Sequence, residues 1–263
     1  MHILTRTLRD RRVSLSWWVF GLVAYTGMIV AFWPMIDGNT EFGTLYADMP
    51  DAFQAMFGSD GLADFTSPVG FMNTYLYSLF FPFILTGLAV AMGSALLAGE
   101  EQDGLLELVL SHPVRRRRLL SEKIAAMVVS VLVAGSVTVV FLAVLREPVG
   151  LDIGVGGLVA ATLGSALFAI LSGLVAFVAG AVGVNRGAAT GLGWGVAIVG
   201  YLLNVLASLD ASMESLQWAS PLYWATADNP VAGHVPATYL ILGGSALALI
   251  AAALAIFERH DLT

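Results

Sequence analysis

The stretch GEEQDGLLELVLSHPVRRRRLLSEK, Gly99 to Lys123, decides how the rest of the chain is read. It sets Glu100, Glu101, Asp103 and Glu107 ahead of four consecutive arginines, Arg115 to Arg118, in an otherwise apolar chain. A central Asp, Lys or Arg costs about 2.5 to 3.5 kcal/mol on membrane-insertion scales. Charges at this density do not enter hydrocarbon, so the segment projects into water. Inside it lies LLELVL, Leu105 to Leu110, bracketed by Gly104 and Pro113. That run is too short to cross a bilayer and too apolar to be left in water. Two readings follow: a docking surface for another protein, or a topogenic charge cluster whose apolar stub rests on the lipid.

The composition puts the segment in a membrane context. The 263 residues are 58% hydrophobic and 12% charged, with a mean hydropathy of +0.83. Soluble domains carry about twice that share of charge, and a soluble core has no room for the apolar surplus. An integral membrane protein is the expectation. The chain has no cysteine, which excludes disulfides, thiolate metal sites and thiol nucleophiles. Lys123 is the single lysine; arginine supplies every other positive side chain apart from histidine.

A span needs about 20 mainly apolar residues. Six stretches qualify: Trp17 to Ile36, Gly70 to Ala98, Ile124 to Leu145, Ile153 to Val184, Ala188 to Leu209 and Ala237 to Phe257. The second, with Pro82 inside it, and the fourth are overlong, which predicts tilt, a kink or a partly interfacial course. The N-terminal apolar run is too long for a signal-peptide core and is followed by Asp37-Gly38, so a retained first helix is expected. Before it, Leu4 and Leu8 lie four apart among Arg6, Arg9, Arg11 and Arg12, the pattern of a short helix lying on the membrane.

Six spans place both termini on one side. That side collects eleven of the twelve Lys and Arg residues, leaving only Arg146 opposite, whereas eleven of the nineteen acids fall on the opposite side. The positive-inside rule makes the arginine-rich side cytoplasmic.

The opposite side has two long segments. In the first, residues 37–69, Leu45, Met49, Ala52, Phe53, Met56 and Phe57 recur at helical spacing, predicting an amphipathic helix that anchors at the interface or gates an exit path. The second, residues 208–236, holds Trp218, Tyr223 and Trp224, read as an interfacial aromatic belt. Gly187, Gly191 and Gly195 have small-xxx-small spacing and are expected to pack a helix face closely.

Several chemistries lack their residues. The four histidines are scattered, with no metal-ligand spacing. There is no phosphate-binding G-x-x-x-x-G-K-[ST] loop, so the chain is not expected to be an ATPase or another enzyme. No ionisable residue falls near the middle of a span, which disfavours a proton-coupled carrier. An ATP-independent channel or carrier would have only scattered Asn73, Asn204, Ser and Thr residues for its lining. A membrane scaffold that recruits a cytoplasmic partner is the remaining alternative.

The charged segment resembles the signature loop of the permease subunits of ABC type-2 exporters, roughly G-E-E-x-x-G-T-L-E-L-L-L-S-x-P-V-S-R-x-x-L-x-x-x-K. Gly99, Glu100, Glu101, Gly104, Leu106, Glu107, Leu108, Leu110, Ser111, Pro113, Val114, Arg116, Leu119 and Lys123 match it. Leu105 replaces the usual threonine, and Arg115 a frequent serine. SPLYW (Ser220 to Trp224) and the FERHDL ending (Phe257 to Leu262) extend the similarity.

The resemblance implies an all-α integral membrane protein, a single permease domain over residues 1–263, with six transmembrane helices behind an N-terminal interfacial helix (residues 1–16). It implies that residues 99–123 form a coupling segment docked on a separate ATP-hydrolysing subunit. Leu105 to Leu110 would be the seated helix, within a motif that includes Gly104, Leu105, Pro113 and Arg116, while Glu100, Glu101 and Glu107 edge or brace it. Arg115, Arg117 and Arg118 would join the N-terminal arginines in anchoring to headgroups, and Asn185 and Arg186 would make a second cytoplasmic contact. The chain itself would bind no cofactor; ATP and magnesium belong to the partner ATPase. Two permease chains, identical or not, would assemble in the cell membrane, with no nucleic-acid partner.

Overall fold

The computed structural model describes residues 3–37, 48, 50, 67–102, 104 and 116–259. Among these, six helices are long and apolar enough to cross a membrane, and there is no strand. The expected helix near residues 45–57 and the segment Leu105 to Leu110 lie outside the described residues.

The N-terminal segment divides in two. Helix α1 spans Ile3–Asp10, the chain turns at Arg11, and α2 runs Arg12–Ile36. The first spanning helix thus begins five residues before the apolar run at Trp17. Arginine favours helix and keeps its head in water while its stem lies along apolar surface, so charge does not end the helix. The third span shows the same effect: α6, Arg116–Leu145, starts two turns before the expected Ile124.

The overlong second span is broken. It comprises α3 (Pro68–Met72), a π-helical turn (Asn73–Tyr77), α4 (Phe80–Ser94), a second π-turn (Ala95–Gly99) and α5 (Glu100–Gln102). Ser67 and Pro68 start it: the Ser67 hydroxyl accepts from the Gly70 N–H and Pro68 occupies the first helical position. The break falls at Leu79, whose φ of −138° and ψ of −64° are not helical. Pro82 accounts for it, because its ring excludes the carbonyl four residues back and it has no N–H to donate.

The fourth span, α7 (Val155–Ala181), is mostly buried and packs against α4, α6, the fifth span α8 (Arg186–Leu209) and the sixth, α10 (Tyr239–Arg259). Its glycine and alanine content makes it the hub. A Cβ on Gly173 would lie 2.8 Å from the Ala89 carbonyl oxygen and 2.9 Å from the Ala89 methyl, so α4 and α7 touch backbone to backbone. In lipid, where apolar surfaces gain nothing by leaving water, such close approach supplies the packing energy. Large side chains of the first three spans, Trp33, Phe71 and Met127 among them, fill one continuous core around it.

The segment 208–236 is only partly a belt. After a 3₁₀ stretch, Ala211–Ala219, helix α9 (Pro221–Thr226) returns into the bundle. The buried Ser220 hydroxyl donates to the Gly200 carbonyl at 2.6 Å and accepts from the Tyr223 N–H at 3.1 Å. Gly200 precedes the end of α8 by nine residues, roughly 13 Å along a helix. Trp218 is exposed, as a belt residue should be, but Leu222 and Ala225 are buried and Trp224 packs beside Phe168 and Leu242. The hydroxyl of Tyr239 donates to Ala160 O at 2.8 Å, tying α10 to α7.

The glycine face expected to pack is the open one. Nothing lies within 4 Å of a Cβ placed on Gly191 or Gly195, and Gly187 meets only the Asn185 side chain. Helix α8 instead buries Ala189, Gly193, Ala197, Gly200 and Ala207. Both faces carry small residues, so spacing alone does not separate them.

Candidate functional site

The charged segment leaves the bundle from α5 and re-enters it at α6, so the geometry of its two ends is well defined. At the first end, the Ala95–Gly99 π-turn is wholly buried and delivers Glu100, with its side chain partly exposed, to the surface. Glu101 is half-buried and Gln102 exposed. Gly104 has φ of +69°, and its N–H donates to the Glu101 carbonyl at 3.0 Å. Its left-handed conformation is the one glycine adopts without strain when a helical segment stops.

At the second end, Arg117 and Arg118 are exposed on the first turn of α6. Arg118 Nε donates to Glu122 Oε1 at 2.8 Å, and Glu122 Oε2 accepts the Leu4 N–H at 3.0 Å. Glu122 thereby holds the N-terminal turn of α1, whose first N–H groups have no partner within the helix. The amphipathic helix is docked on α6 and does not rest on lipid alone. Arg6, paired at 3.8 Å with Asp10, and Arg9 remain exposed; Arg12 is exposed on α2, and Arg11 is half-buried at the turn.

The two ends meet at Lys123. Its side chain is 2% exposed, and Nζ donates to Glu100 Oε2 at 2.5 Å and to the Leu96 carbonyl at 2.6 Å. A buried ammonium costs several kcal/mol unless it is paired and its protons are bonded. Here a carboxylate from the end of the second span and a carbonyl of the π-turn meet both needs. Sequence reasoning used Lys123 as a positive charge for orientation and as a match to the loop signature, and gave it no contact. The available signal was its being the single lysine of an arginine-rich chain, since a flexible stem ending in a compact ammonium suits a buried bond to a carbonyl.

The turn between α7 and α8 completes the corner. Gly183 has φ of +81°, and the Asn185 side-chain oxygen accepts the Ala188 N–H at 2.9 Å, capping α8. Asn185 is thus committed to the helix start, whereas Arg186 is exposed and its stem lies over Gly99: a Cβ there would be 3.4 Å from Arg186 Cδ. Ala98, Ala179 and Ala189 form a small apolar cluster under Val184. The structure therefore brings together Glu100, Lys123, Gly99 and Arg186. Of the other expected site residues, Leu105, Leu106, Glu107, Leu108, Leu110, Pro113 and Arg115 lie outside the described residues.

Six helices long and apolar enough to cross a membrane, with a charged segment leaving one end of the bundle, describe a multi-pass membrane protein. The family model for the ABC-2 family transporter protein matches residues 1–262, and the chain belongs to that family. It is thus a membrane component of an ABC transport system. No curated protein matches the chain.

Proposed function

We propose that the chain is the membrane-spanning half of an ATP-driven exporter and that a separate ATPase subunit docks on residues 99–123. The arginine-rich end faces the cytoplasm, with both termini there, and Leu105 to Leu110 seat in the ATPase. Arg186 and the α7–α8 turn add a smaller contact, and two such chains flank the solute path. The observation that carries the reading is the convergence at one corner: both ends of the charged segment, the α7–α8 turn and the docked α1 share one end of the bundle with the described arginines of α1, of the starts of α2 and α6, and of the start of α8.

In this mechanism nucleotide closes the ATPase pair, the docked segments move with it, and the two membrane halves rock apart on the outer side. Work is delivered only if the segment binds the ATPase with different free energy in the two states. The direct test is co-purification with an ATP-binding cassette subunit encoded beside this chain. Replacing Leu106 and Leu108 together by Asp is expected to abolish co-purification while the chain stays in the membrane; unchanged co-purification refutes the docking assignment. Orientation is tested separately. The chain has no cysteine, so Ser121→Cys supplies a unique thiol, expected to react with an impermeant maleimide in inverted vesicles and not in intact cells.

A further inference from the structure

We propose that Glu100 and Lys123 form a clamp at the base of the 99–123 segment, making the ends of α4 and α6 move as one body when the segment is displaced. Lys123 is then a positioning residue for transport, an inference that rests on the reading above that a partner moves this segment. Three observations carry it. The pair joins the last charged turn before the segment to the first charged turns after it, across 23 positions of sequence, with an Nζ–Oε2 distance of 2.5 Å. The lysine is almost fully buried while its carboxylate partner is partly exposed, so the ammonium is held from inside and the pair sits at the boundary where the segment leaves the bundle. The second bond goes to Leu96 O, within the π-turn. A carbonyl has two lone pairs and can accept this bond beside a helical one. Lys123 therefore grips the backbone of the second span as well as a side chain.

Without the clamp, a force on the segment could be absorbed by opening its base, since α5 is only three residues long and follows a π-turn. Such turns interrupt the regular ladder and are common at functional sites. With the clamp, the base stays closed and the displacement passes into two spans that both pack against the α7 hub.

The test uses the full chain in lipid nanodiscs, with spin labels on Gln102→Cys and Ser121→Cys, both exposed positions that flank the clamp. The otherwise unaltered chain is expected to give one narrow interspin distance. Lys123→Met, an apolar replacement of similar length, is expected to lose that narrow peak without losing thermal stability. Lys123→Arg, which keeps a charged donor for both the Glu100 carboxylate and the Leu96 carbonyl, is expected to keep it. A narrow peak retained in Lys123→Met overturns the clamp. Should Lys123→Met fail to fold, the neutral double variant Glu100→Gln with Lys123→Met is scored by the same criterion. With a co-purified ATPase, ATP and vanadate are expected to shift the labels at positions 102 and 121 together in the parent. In Lys123→Met the shift is expected to be lost although equal ATPase is bound; a shift that persists unchanged also overturns the proposal. If no ATPase co-purifies with the parent chain, the docking reading fails, and the width of the interspin distance alone decides the clamp.

Discussion

Gly173→Ala tests the contact of α4 with α7 directly. The new Cβ would stand 2.8 Å from Ala89 O, 2.9 Å from Ala89 C and 2.9 Å from Ala89 Cβ, where ordinary contacts lie at 3.4–4 Å. All three atoms belong to the α4 backbone or to a methyl fixed on it, so no flexible side chain can yield. The helices must separate by about half an ångström or more, disturbing their packing along its length; overpacking of this kind costs about 1–3 kcal/mol. Against it stands the helix preference of Ala over Gly, about 1 kcal/mol. Gly191→Ala gives that preference alone, because nothing lies within 4 Å of its Cβ. Subtracting one variant from the other cancels the preference and leaves the packing cost. Equilibrium unfolding of the detergent-solubilised monomer is the assay, with Gly173→Ala expected to be less stable than Gly191→Ala by about 1–3 kcal/mol. Equal stability, or the reverse order, would refute the backbone-to-backbone contact of α4 and α7.

Three further outcomes are expected. Ser220→Ala removes the α9 cap and leaves the Gly200 carbonyl without its side-chain donor, costing roughly 1–3 kcal/mol; limited proteolysis should then cut within 210–236 faster. Glu122→Ala releases the Leu4 N–H and Arg118, so amide exchange in α1 should rise roughly tenfold, the ratio for about 1.4 kcal/mol, while exchange in α7 stays unchanged. Gly164→Ala drives a methyl into the Tyr239 hydroxyl and the Ala225 carbonyl, and is expected to destabilise the chain by an amount of order 1–3 kcal/mol, read by the same unfolding assay.

The six spans were legible because hydrocarbon thickness fixes the length of an apolar run, and composition reports that length directly. Their ends were less so. Arg12 and Arg116 begin helices well before the apolar runs, because charge limits insertion and does not limit helix formation. Pro82 announced a disturbance in the second span, but the π-turns at Asn73–Tyr77 and Ala95–Gly99 have no sequence signature. The Ser-Pro pair at 220–221 is a helix-start signal; it could have revealed α9 inside a segment otherwise read as an aromatic belt. At the candidate site, the pairing of Glu100 with Lys123 joins residues on opposite sides of an excursion. No periodicity links them, so charge counting put both on the same side of the membrane without showing that they touch.

The hydroxyl groups decide how the scattered polar residues of the spans are to be understood. In hydrocarbon a polar group needs a partner close at hand. Thr26 donates to Leu22 O, Ser130 to Ala126 O, Thr138 to Ala134 O, Ser165 to Ala161 O and Ser172 to Phe168 O, each to the carbonyl four residues back and each buried. Thr162 is engaged with the Tyr77 hydroxyl at 3.0 Å. These groups satisfy themselves within their helices or across one contact, the behaviour of Ser and Thr in tightly packed spans. A water-lined path needs the opposite arrangement, with hydroxyls turned toward a common lumen and bonded to what passes. A solute threading the middle of one chain would have to break these bonds and part α4 from α7 where they touch through backbone. These six hydroxyls are thus already bonded, five of them within their own helices, whereas Thr86 Oγ1 on α4 is buried with no hydrogen-bond partner among the described residues.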